Sequence, residues 1–494
     1  MTDVPEDSSR AATRDSLSGG AWTVAERIIA QASQLILFIA AARVLSPAEF
    51  GLFALVSTCA LLFLRMSEVG WAPYIMSWSG DDTVPRQVVM VSIWVGAAFG
   101  LLGALIGAGG LWLGFDAVAM NLVLMFSAWV VIATTCSAQK GMMIWRDGLR
   151  GSAIAESIGE IAGMAMALLL LHRGWGVYSL VFGRLAYQTT HLAISFAVTR
   201  RAPLFGMPRQ DLRQLGIYSW HIFSSRFILN LRLYVATFLI GGFLGPASVG
   251  YYRAAQRLVG SIAEIIGAPS LVLAWSMFRQ ARDEHGLRSR GFQVQVNLYF
   301  KLLFAVGAPV FVWLTLMGQD LISGLLGPKW LPALPVVGIL ALARALSLQA
   351  TVTEPILSLN GEVGRLPRFN LILLVLTVAG TTLGAMLGLQ AVAWSQVAVG
   401  IVAAVATNRL LERHGGIDWR EVVVEGRRLV LPVLLGAAVI LLMRDLRLFE
   451  DLPALVRAFG VVVPATAIYL LALIAADPAL RDAARARRNR RAGA

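Results

Sequence analysis

Leu45-Ser46-Pro47-Ala48-Glu49-Phe50-Gly51 returns 199 positions later as Leu244-Gly245-Pro246-Ala247-Ser248-Val249-Gly250. Upstream, Arg27 and Ile29 align with Arg226 and Ile228 at the same offset and without a gap. Each copy reads as a long apolar helix, a one-turn break and a second apolar helix. The chain therefore reads as two related halves, a plan common among membrane transporters. Six spans separate the first and seventh helices. That is an even number, so the halves should share one orientation and be related by an axis along the membrane normal. An arginine at the same depth of both leading helices points toward the working site, because intramembrane charge is costly wherever it has no function.

Composition agrees with a membrane protein. Hydrophobic residues make up 57% of the 494, charged ones only 14%, and mean hydropathy is +0.70, whereas charged residues run near a quarter in soluble domains. Apolar runs long enough to span a bilayer recur from residue 22 onward, about fourteen in all. The expected architecture is an all-α polytopic membrane protein of two pseudo-symmetric six-helix lobes, 22–199 and 214–411. Two additional transmembrane helices follow at 429–476. A cytoplasmic N-terminal tail, 1–21, and a basic cytoplasmic tail, 477–494, flank them.

The net charge of +13 would suit a nucleic-acid partner, but the placement of the arginines assigns it to topology. Arg146 and Arg150, then Arg200 to Arg213, Arg279 to Arg290, Arg365 and Arg368, and Arg409 to Arg428 fall in alternate loops. By the positive-inside rule both termini are cytoplasmic, which an even helix count also requires. The first 20 residues hold no short apolar core before a small-residue cleavage site, so no cleaved leader is expected. Cys59 and Cys136 each sit within an apolar span and read as inert core thiols. The five histidines lack ligand spacing, and there is no phosphate-binding glycine loop and no serine nucleophile elbow. Neither a catalytic centre nor a resident metal or cofactor is expected, and extracytoplasmic loops of about a dozen residues leave no room for a catalytic domain.

Helical spacing groups the charges that remain inside spans. Arg253, Arg257, Gly260 and Glu264 form one stripe of the eighth helix. Arg27, Gln31 and Gln34 form another in the first, and Arg226 and Asn230 another in the seventh. The fifth helix presents Glu156, Glu160 and Gly163, the second pairs Arg65 with Glu68, and the tenth aligns Arg344, Ser347, Thr351 and Glu354. Arg43, at a helix end, reads as snorkelling. The candidate substrate-binding residues are Arg27, Gln31, Arg226, Asn230, Arg253 and Arg257. A guanidinium keeps its proton on burial and offers paired donors that match a diphosphate. Such a cavity would attract a multivalent anion and repel cationic drugs. Glu26, Glu68, Glu264 and Glu354 are the candidate acids for coupling to a proton or sodium gradient.

Residues 42–54 (Ala-Arg-Val-Leu-Ser-Pro-Ala-Glu-Phe-Gly-Leu-Phe-Ala), Glu-Val-Gly at 68–70, residues 240–258 and Leu-Gly-Pro-Lys-Trp at 326–330 resemble the polysaccharide-transporter family. That family belongs to the multidrug/oligosaccharidyl-lipid/polysaccharide exporter superfamily. The likeness runs along nearly the whole chain. It implies two six-helix lobes in a V shape, two further helices and alternating access across the inner membrane. It also implies a cationic central cavity and an undecaprenyl-diphosphate-linked glycan as cargo, the repeat unit of an O-antigen or exopolysaccharide. Membrane lipids, a polysaccharide polymerase and chain-length machinery are the expected partners. Many relatives carry an acid about four residues before the Ile-Gly of the seventh helix, where this chain has Ala236, so a coupling role does not carry over from that acid. Three alternatives stay open: a lipid II flippase, a cation-coupled multidrug exporter of the same superfamily, and a glycan polymerase or ligase, which would need a large periplasmic loop.

Overall fold

The computed structural model describes residues 6–68 and 70–477, and every regular element among them is helical. The first helix, α1 (Glu6–Val44), already begins inside the stretch expected as a tail. Of the basic tail 477–494, only Asp477 lies among the described residues.

The repeated motif is a backbone corner in both copies. Ser46 (φ −69°, ψ 157°) caps α2 (Pro47–Ser67). Its Oγ accepts the Glu49 N–H at 3.2 Å, and Glu49 Oε2 accepts the Ser46 N–H at 2.8 Å, a reciprocal box that satisfies two otherwise orphaned donors. The equivalent Gly245 (φ 80°, ψ 174°) breaks α7 (Arg209–His285). Both residues precede proline, whose ring pushes its predecessor out of the helical region. Only at Gly245 is φ positive, and there the second copy carries glycine.

Between the corners run α3 (Trp71–Met76), α4 (Thr83–Trp112), α5 (Ala117–His172) and α6 (Tyr178–Thr199). Helix α5 is two helices joined at Gly148 (φ 78°, ψ −172°). Close backbone approach holds these helices together. A Cβ added at Gly100 of α4 would lie 2.4 Å from Val131 Cγ2 and 3.0 Å from Ser127 O, and one at Gly163 of α5 would lie 2.7 Å from the Gly183 carbonyl of α6. Small residues at such crossings are how membrane helices gain dispersion contacts when lipid offers no hydrophobic drive.

Twelve helical segments among the described residues are long and apolar enough to cross a membrane, so the count of about fourteen is not reached. Two places account for the difference. Helix α6 carries Arg184, Gln188 and His191, which lower its hydropathy. The expected seventh span, 214–243, falls in large part on residues whose side chains lie outside the described ones, and the segment Tyr234–His285 holds its end together with the expected eighth span.

The chain divides into two compact units, Met1–Phe238 and Leu239–Ala494. The second continues with α8 (Arg290–Leu316), α9 (Gly318–Leu325), α10 (Leu334–Leu346), α11 (Thr353–Leu359), α12 (Leu366–Leu387), α13 (Leu389–Gly415), α14 (Trp419–Gly426), α15 (Val430–Asp445) and α16 (Ala454–Ala476). The expected tenth span is broken. Helix α10 stops at Leu346, a tight 3-10 turn occupies Leu348–Val352, and α11 restarts at Thr353. The stripe Arg344, Ser347, Thr351, Glu354 assumed one continuous α-helix, and this break removes the common face.

The basic link after α13 is ordered by α14, which docks on α8. The Asp418 N–H donates to Gln293 Oε1 at 2.9 Å, Asn297 Nδ2 donates to Glu421 Oε2 at 3.2 Å, and Arg290 pairs with Glu421. Outside the spans, Arg365 and then His414 hold the Glu362 carboxyl below its usual range. A depressed carboxyl contributes stability above its unfolded pKa and loses it only as pH falls through the folded value, so this contact persists at neutral pH.

Helices α15 and α16 close on α8 through Trp313, Ile440, Val461, Ala465 and Tyr469. Polar ties accompany the packing. Arg457 Nε donates to Asp320 Oδ1 at 2.9 Å, with Nη2 on the same oxygen. Tyr469 Oη donates to the Ala305 carbonyl at 2.6 Å, and Lys301 pairs with Asp477.

Candidate functional site

The anion-binding candidates of the second unit lie just past the Gly245 corner. Arg253 and Arg257, one turn apart, are both half-buried within the apolar segment Tyr234–His285. Arg253 Nη1 donates to Gln256 Oε1 at 3.0 Å, which orients the guanidinium. Arg257 feels the charge of Glu264 two turns on, so Glu264 belongs to the same face, as the spacing predicted. Immediately before Arg253, Tyr252 is buried and lies within electrostatic reach of both Arg253 and Arg344. Arg344 therefore joins the Arg253 neighbourhood from α10, a residue the sequence had placed only on its own helix stripe. Glu354, beyond the break, is exposed at the start of α11.

In the first unit, Arg27 is exposed and Gln31 half-buried on α1. The side chains of Arg226 and Asn230 lie outside the described residues. Glu68 is engaged by Arg65 Nη1 at 2.6 Å, a local pair that ends α2. Cys136 is buried, but Cys59 is exposed on α2. The expectation of a core thiol therefore fails at Cys59, which faces outward from its helix.

A second polar group, only partly foreseen, is built around α5. Glu156 pairs with Lys140 and lies within electrostatic reach of Glu26 of α1. One turn further along, Glu160 Oε1 accepts from Gln34 Nε2 at 3.3 Å and feels Arg184 of α6. Lys140 and Glu156 are sixteen residues apart, roughly 24 Å along an unbroken helix. Their contact means that the chain doubles back at Gly148. Each lies eight residues from that glycine, so both sit at the same depth, about 12 Å from the turn. Lysine is rare in this chain, 3 against 39 arginines, and its symmetric spacing with Glu156 about Gly148 was the available signal for this pair.

Among the described residues no group of three or more His, Cys, Asp and Glu could hold a metal ion. What the arrangement offers is half-buried cationic donors in one unit and a carboxyl–ammonium cluster in the other.

Residues 40–335 match the family model described as polysaccharide biosynthesis protein. The chain belongs to that family. Among curated relatives, it is 24% identical over 363 residues to the succinoglycan biosynthesis transport protein ExoT of Rhizobium meliloti, covering 72% of this chain and 71% of that one. It is 23% identical over 201 residues to the teichuronic acid biosynthesis protein TuaB of Bacillus subtilis, covering 40% of each. Among solved structures, the inward closed form of the lipid II flippase MurJ aligns with a TM-score of 0.68 at 14% identity, covering 93% of this chain and 100% of that one. An inward-facing multidrug resistance MATE family transporter aligns at 0.57 and 15% identity, covering 78% and 98%. The fold is thus that of the multidrug/oligosaccharidyl-lipid/polysaccharide superfamily, and family and fold together make the chain a transmembrane polysaccharide exporter.

Proposed function

We propose that this family member is a flippase that moves an undecaprenyl-diphosphate-linked oligosaccharide, the repeat unit of an O-antigen or exopolysaccharide, across the inner membrane by alternating access and without bond chemistry. The observation that carries this reading is the pair Arg253 and Arg257, half-buried one turn apart inside an apolar segment of a chain of the polysaccharide biosynthesis family. A diphosphate crossing a bilayer must exchange its hydration for other donors, and guanidinium groups supply them bidentately and without losing charge. A site for cationic drugs would instead present acids. Arg27 and the matching Arg226 are the corresponding groups of the first unit, with Gln31 and Asn230, each four positions on in sequence, as neutral donors. The exported glycan would pass to a polymerase and chain-length machinery.

Depletion of the protein tests the reading. The polymer should disappear while the lipid-linked repeat unit accumulates, inaccessible to an impermeant glycan-oxidising probe in cells with an opened outer membrane. Normal polymer, or a block in cell-wall synthesis instead, would point away from this cargo and, in the second case, toward lipid II.

Orientation follows from the arginine-rich links, since moving 277–293 or 412–428 outward would oppose the positive-inside bias. Single cysteines introduced in either link should stay unlabelled by an impermeant thiol reagent, with both termini cytoplasmic. Ready labelling of both links would invert the topology.

A further inference from the structure

We propose that α14 and the turn before it form a docking site for an anionic glycerophospholipid of the leaflet that flanks the arginine-rich links. Arg288, Arg413, Arg420 and Arg427 would hold the phosphate, and Val423 and Val424 would meet the acyl chains. The site lies wholly within the second unit and does not depend on which glycan is carried.

Length sets the depth of α14. Helices α14 and α15 belong to one apolar segment, Trp419–Asp445, of 27 residues, about 40 Å of helix against a hydrocarbon core of about 30 Å. The surplus of about 10 Å matches the eight residues of α14, so α14 sits at headgroup level. A tight 3-10 turn, Arg427–Leu429, sets it off from α15. Trp419 is half-buried, and its Nε1 donates to the Asn408 carbonyl at 2.8 Å. Tryptophan is enriched at that level of a bilayer.

The faces of α14 are sorted by chemistry. Glu421 pairs with Arg290 and accepts from Asn297, Glu425 pairs with Arg428 at 3.4 Å, and Val422 is only 4% exposed. The two acids of α14 therefore have cations of their own. Outward stand Val423, 67% exposed, and Val424, 43% exposed, with Arg420 and Arg427 exposed on the same short stretch. Exposed valines between exposed arginines fit an amphiphile with an anionic head better than a free ion in water.

An independent observation is the backbone of Arg288, between α7 and α8. Its φ is 63°, in the left-handed region that is disfavoured for a residue with a Cβ and is found where surrounding structure enforces it. The Arg288 stem lies over Gly416 (φ 69°), where an added Cβ would come within 2.4 Å of Arg288 Cγ. Its Nη2 donates to the Arg413 carbonyl at 3.2 Å. A strained residue and a cleared glycine thus bring two exposed arginines to one spot. Gathering like charges is unfavourable in itself, and a bound phosphate offsets it. A headgroup held there bridges the α7–α8 and α13–α14 links, so lipid composition should set how firmly that end of the second unit is tied.

Nanodiscs of phosphatidylcholine with a rising share of phosphatidylglycerol test the site on the purified full chain. Its Tm should rise saturably with phosphatidylglycerol, and native mass spectrometry should find that lipid retained several-fold over phosphatidylcholine. Arg413→Gln with Arg427→Gln should abolish both effects and leave the Tm in pure phosphatidylcholine unchanged, since both side chains are exposed. Arg209→Gln with Arg213→Gln removes the same charge from exposed positions of the first unit and should behave as the native chain. Val423→Ser with Val424→Ser keeps every charge and should lower retention on its own, which decides the matter if the arginine pair fails to fold. Undiminished retention in the arginine or the valine pair, or an equal loss in the Arg209 and Arg213 variant, overturns the proposal. So does an equal rise in Tm from inorganic phosphate in pure phosphatidylcholine, which would assign the arginines to a free anion.

Discussion

Arg253→Ala and Arg257→Ala should each lower glycan export about ten- to a hundredfold while leaving the inserted protein at native abundance. The size follows from losing a hydrogen-bonded charge, about 1.5–3 kcal/mol per contact, with each 1.4 kcal/mol worth roughly tenfold. Stability should change little, because both side chains are only half-buried and lie on a single helix. The contact of Arg253 with Gln256 is local, three residues on. Lysine at either position should restore part of the activity, since it keeps the charge and loses the planar fork. Arg27→Ala should behave like Arg253→Ala, and Arg43→Ala, at the end of α1, should behave nearly as the native chain. Export can be read as surface polymer per unit of membrane-inserted protein. Native export by all of the Arg27, Arg253 and Arg257 alanine variants would remove the anion-binding role.

The largest effect on stability should come from the tie between α9 and α16. Asp320 is 8% and Arg457 29% exposed, and two guanidinium nitrogens of Arg457 meet one Asp320 oxygen. Removing one partner of such a pair leaves the other charge uncompensated and typically destabilises by about 3–5 kcal/mol. Asp320→Ala and Arg457→Ala should each lower the Tm of detergent-solubilised protein and expose the 446–453 link to protease. The double variant Asp320→Leu with Arg457→Met should recover most of the loss, because replacing both charges removes the orphan. A Tm unchanged by Asp320→Ala would show that the packing of Trp313, Ile440 and Tyr469 alone holds α15 and α16 in place.

The features legible in the sequence were those set by local chemistry. The break before Pro47 and Pro246 follows from proline sterics acting on Ser46 and Gly245, so the repeat appeared as a corner in both copies. Arg65 with Glu68, and Arg257 with Glu264, follow from helical spacing within one continuous element. What escaped depended on chain reversal or on tertiary packing. Lys140 and Glu156 meet only because Gly148 folds α5 back on itself, and the apolar pattern on either side gave no register for that hairpin. The stop at Ser347 has no proline or glycine to announce it, so Arg344 looked aligned with Glu354 when the 3-10 turn separates them. Helix α6 is polar for a span because it packs through Gly183 against Gly163 and supplies His191 and Arg184 to α5, a role that only the folded unit reveals.

Binding of the carrier lipid tests the central claim most directly. Purified protein in nanodiscs should bind undecaprenyl diphosphate at least about tenfold more tightly than undecaprenyl monophosphate, with the preference falling as salt rises and lost in Arg253→Ala with Arg257→Ala. Equal affinity for the two lipids, or a preference that survives removal of both arginines, would contradict the account.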